Sequence, residues 1–525
     1  MVAPVGPVSE PQAATKLKTV TIDEAIQATG VGLYHWLLVV ATGMCSASAV
    51  GEIVSMSYVL SPAAWMACDL SMNLSDKVLL SSIVFIGMLM GTHLWGVTAD
   101  SWGRLPLLRL TLLLDAVVGV ISSLLPDKRL FIAARFFNGF LVAGPTSTAM
   151  AYLGEFHTEK TRAKAMIILG LFPGGWTLFV AMLAYLVLPL DIAWELPSFY
   201  GEGALYRPWR LYILLNSMPA LLTGLSFLLF PESPRFLVAT GRPQKALDAL
   251  RTVHAFNKGR KKEFPVGALV ASLDGPQSGG KLMAMWNQTA PLFGREHLKN
   301  TALVCAVLFA LVSSANGLLV WMPEIFNRMA LFLVEQPDVE VTACQAIDYM
   351  QELRSNITAA VSEAGQESLP LQCGGELPAS MFFNTGVIGV SNVALGFLSS
   401  FFVNWMGKRN MLAGILVLSG VCALLLTVVP SSLAMLVLAC GTISLSSTGV
   451  SIIVALACEN YPTTLRATAV SLSMLAGRCG SMSGSLLFGA LLDTQCNSAF
   501  WGFGALLAVC GVLSFLLPRR GKYAT

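Results

Sequence analysis

The chain has 525 residues, of which 55% are hydrophobic and 12% charged, with a formal net charge of +3 and a mean hydropathy of +0.68. That charged share is about half the usual share of a soluble domain, which excludes an ordinary water-soluble multidomain protein. The small net charge argues against nucleic-acid binding, and apolar runs of bilayer length divide the chain instead.

In chain order, residues 1–32 are expected to be a cytoplasmic N-terminal segment. Met1–Thr15 is polar and Pro-rich with no apolar stretch, so no cleavable signal peptide is expected. Spans of roughly 20 residues, the length that crosses a hydrocarbon core, are predicted near 33–60, 77–97, 105–125, 130–153, 163–188, 209–230, 300–322, 379–405, 410–429, 432–458, 465–492 and 499–517. They form an N-terminal six-helix bundle (33–230) and a C-terminal one (300–517), followed by a cytoplasmic tail at 518–525. With the N-terminus in the cytoplasm, 24 of the 33 Lys and Arg lie inside and seven outside, while Arg135 and Arg478 lie within spans. This is the bias the positive-inside rule requires.

Two connecting segments are long. The central loop, 231–299, holds 11 basic and 5 acidic residues. Ser233-Pro234 opens a short helix that Gly241 ends, and Ala246, Leu247, Leu250 and Val253 form an amphipathic stripe. Its run Arg260-Lys261-Lys262 is either a topology signal or a contact for anionic lipid. The outer loop, 323–378, is acidic and carries the sequon Asn356-Ile357-Thr358, expected to be glycosylated, together with Cys344 and Cys373, which could pair in an oxidising compartment. The other cysteines lie mostly in spans, and no His/Cys spacing suggests a metal site.

One offset of 304 residues relates the two bundles. Gly103-Arg104 recurs as Gly407-Lys408, Glu155…Arg162 as Glu459…Arg466, and Asp100 falls on Asn404. Internal duplication with charges at the ends of apolar runs is how many secondary transporters are built, with the substrate path between the repeats.

These residues carry a family resemblance. The run from Gly96 through Asp100 to Gly103-Arg104 resembles the loop between helices 2 and 3 of the major facilitator superfamily. Arg135-Phe136-Phe137-Asn138-Gly139 is similar to its helix-4 motif, and Pro231-Glu232-Ser233-Pro234-Arg235 to a motif shared by sugar porters, organic-ion transporters and the synaptic vesicle glycoprotein 2 family. Ile22–Trp36, Trp209-Arg210 and the long outer loop look most like the last of these. The resemblance runs from about residue 20 to the end and implies an all-α membrane protein, with twelve helices in two pseudo-symmetric six-helix bundles. It also implies that Asp100, Arg104, Glu155, Arg162, Glu232, Arg235, Lys408, Glu459 and Arg466 belong to a cytoplasmic gate, closed when the transporter faces outward. The alternative is that these charges only mark topology. Several positions depart from the pattern: Ser101 and Leu105 replace arginines, Asn404 replaces an acid and weakens the second lock, and Ala49 stands where the vesicle glycoproteins carry an acid. The helix-7 and closing motifs of sugar porters are absent, which disfavours a hexose facilitator.

Candidates for the solute path are the intramembrane charges and polar aromatics, which are costly unless paired or functional. Glu52 and Arg135 could meet in the N-terminal bundle, as a path or as a structural ion pair. Arg478, about 20 Å into its span by helical rise, is the best candidate to contact an anionic group, with Glu52 as its partner in the empty state. Trp176 beside Pro173, and Trp321 and Glu324 in a Trp-x-Pro-acid element, could line the pocket; belt or packing roles are the alternatives. No nucleophile–base pair or phosphate loop suggests an enzyme, and no cofactor is implied. The function expected is transport of a small organic solute, organic ion or sugar-like, by alternating access, with or without proton or sodium coupling, in a vesicle or plasma membrane. The alternative is a protein of the same fold that binds ligands or partners without transport.

Overall fold

The computed structural model describes residues 18–60, 64–197, 205–259, 264–269, 289–337, 339–363 and 377–518. The helices are α1 (Ile22–Thr29), α2 (Leu33–Val59), α3 (Met66–Asp69), α4 (Leu74–Trp102), α5 (Arg104–Leu124), α6 (Lys128–Glu155), α7 (Glu159–Val187), α8 (Pro208–Ser226), α9 (Pro234–Ala239), α10 (Pro243–Lys258), α11 (Leu298–Glu335), α12 (Ala343–Glu363), α13 (Ala379–Met406), α14 (Lys408–Leu425), α15 (Ser432–Asn460), α16 (Thr463–Leu492) and α17 (Cys496–Ser514). Four short strands accompany them: β1 (Lys18–Val20), β2 (Trp194–Glu195), β3 (Leu205–Tyr206) and β4 (Val266–Leu269).

Setting aside the polar helix α12, the long helices among the described residues are α2, α4–α8, α11 and α13–α17, twelve in all. Ten of them are long and apolar enough to cross a membrane by length and composition alone. The two that fall short, α6 and α16, carry Arg135 and Arg478 within their length. Lipid-facing positions are apolar, as Leu114, Val117 and Ile121 show along α5.

The 304-residue repeat reappears in the helix boundaries. The ends of α4 and α13 (Trp102, Met406), the starts of α5 and α14 (Arg104, Lys408) and the starts of α7 and α16 (Glu159, Thr463) are each 304 apart. Gly103 (φ 116°) and Gly407 (φ 77°) make the two matching corners, in backbone that a side chain would strain. We call the end carrying these corners the motif end and the other the far end.

Neighbouring helices touch where glycine removes the side chain. A Cβ on Gly139 of α6 would lie 2.0 Å from the Val84 carbonyl oxygen of α4.

The apolar packing differs between the two ends. At the far end a single cluster joins the halves, from Val54, Tyr58 and Trp209 to Trp321, Phe326, Phe382 and Phe488. At the motif end the core splits: Leu38, Leu108, Leu153 and Phe227 belong to the N-terminal half, and Val304, Leu308, Leu412 and Leu456 to the C-terminal half. Contacts between the halves obey the same division. Phe382 stacks on Tyr58, Gly389 packs on Gly174, and the Ser485 hydroxyl donates to the Ser81 carbonyl at 3.1 Å, all at or beyond the helix midpoints on the far side.

Three expectations need correction. The outer loop does not begin at Pro323, because α11 runs through that proline to Glu335. Ile325, Phe326, Met329 and Phe332 are buried against neighbouring helices, and that burial outweighs the lost helical hydrogen bond. Cys344 is bonded to Cys496, not to Cys373, which lies outside the described residues. The start of α12 folds back onto the start of α17, bringing the two Cα atoms within 5.6 Å, a juxtaposition that sequence spacing cannot reveal. Cys68 is also disulfide-bonded. The sequon Asn356 falls on α12, its side chain outside the described portion.

The third correction concerns the N-terminal segment and the central loop, which are one unit. β1 pairs in parallel with β4, and α1 packs on α10 through Ala25, Ile26, Ala246, Leu247 and Leu250. The amphipathic stripe is therefore covered by the chain's own start. Asn257 bonds this unit to α2, accepting from the Tyr34 N–H at 3.1 Å and donating to the Gly30 carbonyl at 2.8 Å.

Candidate functional site

The N-terminal half has a polar core among α2, α5 and α6. Glu52 and Arg135, 3% and 1% exposed, form an ion pair at 2.7 Å. The second guanidinium nitrogen donates to the Ser122 hydroxyl. One turn along α6 from Arg135, Asn138 Nδ2 donates to Asp115 Oδ1 at 2.7 Å and to the Asp115 carbonyl at 3.1 Å. Asp115 is fully buried, and sequence reasoning passed over it. The available signal was the one that marked Glu52: an acid in the middle of an apolar run.

Arg478 stands where the halves meet. From α16 it reaches Met88 Sδ of α4 at 3.5 Å and Thr146 Oγ1 of α6 at 3.3 Å. Glu52 is not its partner, contrary to expectation; Arg135 has taken that carboxylate. Among the described residues no acid forms a salt bridge with Arg478.

Near this level a groove of about 370 Å³ is lined by Met44, Ile168, Leu171, Phe172, Gly175 and Trp176. Two polar atoms beside it lack partners: the indole N–H of Trp176 and Oδ1 of Asn216. Both flank Gly51, whose missing Cβ would sit 3.2 Å from the first and 3.7 Å from the second. A donor and an acceptor are thus left free at one spot, next to Glu52. Asn216 was not anticipated, since a lone amide in a span resembles any packing residue.

Glu324, through Arg328, and Trp321 contact α16. Glu324 Oε1 accepts from Arg328 at 2.9 Å, and Arg328 also pairs with Asp493 at 2.5 Å, so this triad ties α11 to α16 at the far end. Trp321 donates to the Ser485 carbonyl at 3.1 Å and packs on Gly489. It is buried between the two helices in this structure. Helix rotation turned both side chains into the helix–helix contact.

At the motif end the repeat yields two matching ion pairs. Arg104 Nε meets Glu155 at 3.2 Å, and Lys408 meets Glu459. Arg104 also holds Asp100 at 3.0 Å, while Gly96 faces open space. Glu232 accepts from the Leu105 N–H at 3.2 Å, capping the start of α5. Burial pushes the Glu232 carboxyl above the usual carboxylate range, and the Ser233 and Leu105 N–H groups draw it partly back. Arg162 does not pair with Glu155; it donates to the Gly154 carbonyl at 3.2 Å. Arg235 leaves the network and binds Asp23 of α1 at 2.5 Å. The side chains of Asn404 and Arg466 lie outside the described portion.

A family model described as "Sugar (and other) transporter" matches residues 38–343, more than half of the chain. The chain belongs to the sugar (and other) transporter family. Within it, the chain is similar to human SVOPL, with 23% identity over 517 residues, covering 98% of this chain and 94% of that protein. It is also similar to the synaptic vesicle 2-related protein of Xenopus laevis (26% over 309 residues; 59% and 50% covered) and to human synaptic vesicle glycoprotein 2B (24% over 340 residues; 61% and 48%). The match spans about half the length of these last two. Among solved structures, the inward open conformation of the xylose transporter XylE from E. coli shares the fold, with a TM-score of 0.64, 14% identity, and 94% and 98% of the two chains covered. The family's major facilitator architecture and the apolar helices make this a multi-pass integral membrane protein.

Proposed function

We propose that this member of the sugar (and other) transporter family carries a small organic solute with an anionic group across a membrane by alternating access. The observation that carries the reading is the division of the core. The halves pack into one cluster at the far end and into two at the motif end, which supports a path between them that opens at the motif end. Rocking about the Arg478 level would open the other end, as in duplicated transporters. The positive-inside bias assigns the motif end to the cytoplasm. Arg478 supplies the anion contact, because a guanidinium between the halves with no acid partner awaits a charge. The free Trp176 N–H and Asn216 oxygen supply polar recognition. Movement is facilitative or driven by a proton or sodium, and the relatives' names favour a vesicle membrane.

The test is uptake by purified protein in liposomes against sugars, organic cations and organic anions, with Arg478→Gln alongside. Uptake of an anion class that the variant loses is expected. Uptake of every class unchanged by the variant would overturn the anion contact. Ligand binding without uptake of any class would favour a non-transporting protein of the same fold.

A further inference from the structure

We propose that Asp115 and Asn138 form a proton-binding site inside the N-terminal half, in which carboxylic acid and amide are joined by two hydrogen bonds and the bound proton supplies the second. The inference deepens the transport reading and rests on it only in naming the proton as the coupling ion.

Asn138 Nδ2 donates to Asp115 Oδ1 at 2.7 Å, so the two side chains already face each other. Asp115 Oδ2 and Asn138 Oδ1 are both buried and both without a partner. As long as Asp115 is ionised, each is an acceptor only, and neither can satisfy the other. A single proton on Oδ2 converts one acceptor into a donor and closes an acid–amide pair. Exchanging the amide nitrogen and oxygen leads to the same need, since oxygen would then stand against oxygen at that contact and only a proton could hold them.

Charge counting leads to the same residue. The ionic groups acting on Asp115 are Glu52 of α2 and Arg135 of α6. Two acids and one guanidinium are enclosed together, and the guanidinium is already committed to Glu52 and Ser122. Among the described residues, the other charged groups on the helices against α5 are engaged elsewhere. On α8, Asn216 and Ser217 are neutral, and Arg210 donates to the Ser123 and Leu125 carbonyls. On α4, Asp76 pairs with Lys128, Asp100 with Arg104, and His93 is exposed. On α5 itself, Arg109 is held by the Phe227 and Phe230 carbonyls. A fully buried carboxyl whose neighbouring cation is committed to another acid holds its proton instead of its charge. When the halves rock and the Glu52–Arg135 pair loosens, Arg135 can turn to Asp115, which then releases the proton.

The experiment is infrared spectroscopy of the purified full chain in lipid nanodiscs at neutral pH, with 13C-aspartate and 13C-glutamate labelling and H2O/D2O exchange. A protonated-carboxyl C=O band is expected that shifts with labelled aspartate and with D2O, and that disappears in Asp115→Asn. In Asn138→Leu the band should persist and move to higher frequency, because its hydrogen bond is lost; this variant keeps the test alive if Asp115→Asn does not fold. No such band at neutral pH overturns the proposal, as does a band that follows labelled glutamate, one that survives in Asp115→Asn, or one that does not move in Asn138→Leu. The readout needs no solute. The band without uptake would sink the transport reading and leave the proton site; uptake without the band would do the reverse.

Discussion

Breaking the Glu52–Arg135 pair should cost more than its net contribution to stability. At 2.7 Å and an effective dielectric of about 20, two unit charges attract by about 6 kcal/mol before desolvation. Removing both from water offsets much of that, so the intact pair is worth little net. Removing one partner leaves the other buried alone, at about 3–5 kcal/mol. Glu52→Gln and Arg135→Gln should therefore each destabilise strongly, while the double variant should cost clearly less than their sum, with a coupling of at least about 2 kcal/mol. Equilibrium unfolding of the four proteins in mixed micelles closes the cycle. Additive effects, or single costs below about 1 kcal/mol, would show that water reaches the pair and that the enclosed-core argument is wrong.

Three further outcomes follow from the geometry. Gly139→Ala drives a methyl against backbone at Val84 and must part α4 from α6, at or above the upper end of the usual overpacking cost of about 1–3 kcal/mol, read as a fall in Tm. Burial holds His157, at the junction of α6 and α7, below the usual histidine range. The folded state keeps it neutral while the unfolded chain protonates near pH 6.5, so its contribution is complete above about pH 6.5 and lost as pH falls below it. His157→Gln should flatten the Tm–pH curve there, and an unchanged slope would refute the assignment. Cys344→Ser opens a bridge spanning 152 residues, costing up to about 5 kcal/mol by chain entropy. Reductant should then change Tm much less in the variant than in the parent, and Cys496→Ser should match it.

What could be read from the residues alone was local or repeated. A run of about 20 apolar residues must cross the bilayer as a helix, because no other partner exists there for its backbone groups. Gly103 and Gly407 end helices by their own conformational freedom, so the 304-residue offset seen in the letters reappears in Trp102 and Met406, Arg104 and Lys408, Glu159 and Thr463. Glu52 and Arg135 stood out because charge in an apolar run has few outlets. Which charges meet was decided by tertiary structure, since it depends on how each helix is rotated and how far it is shifted against its neighbours. Those rotations gave Glu52 to Arg135 and left Arg478 without an acid, turned Trp321 and Glu324 into the α11–α16 contact, and set Asp115 against Asn138. The bond from Cys344 to Cys496, the pairing of β1 with β4 and the division of the apolar core at one end are likewise non-local. Each joins stretches far apart in the chain through packing energies that no single segment carries, and so none was legible before the helices were assembled.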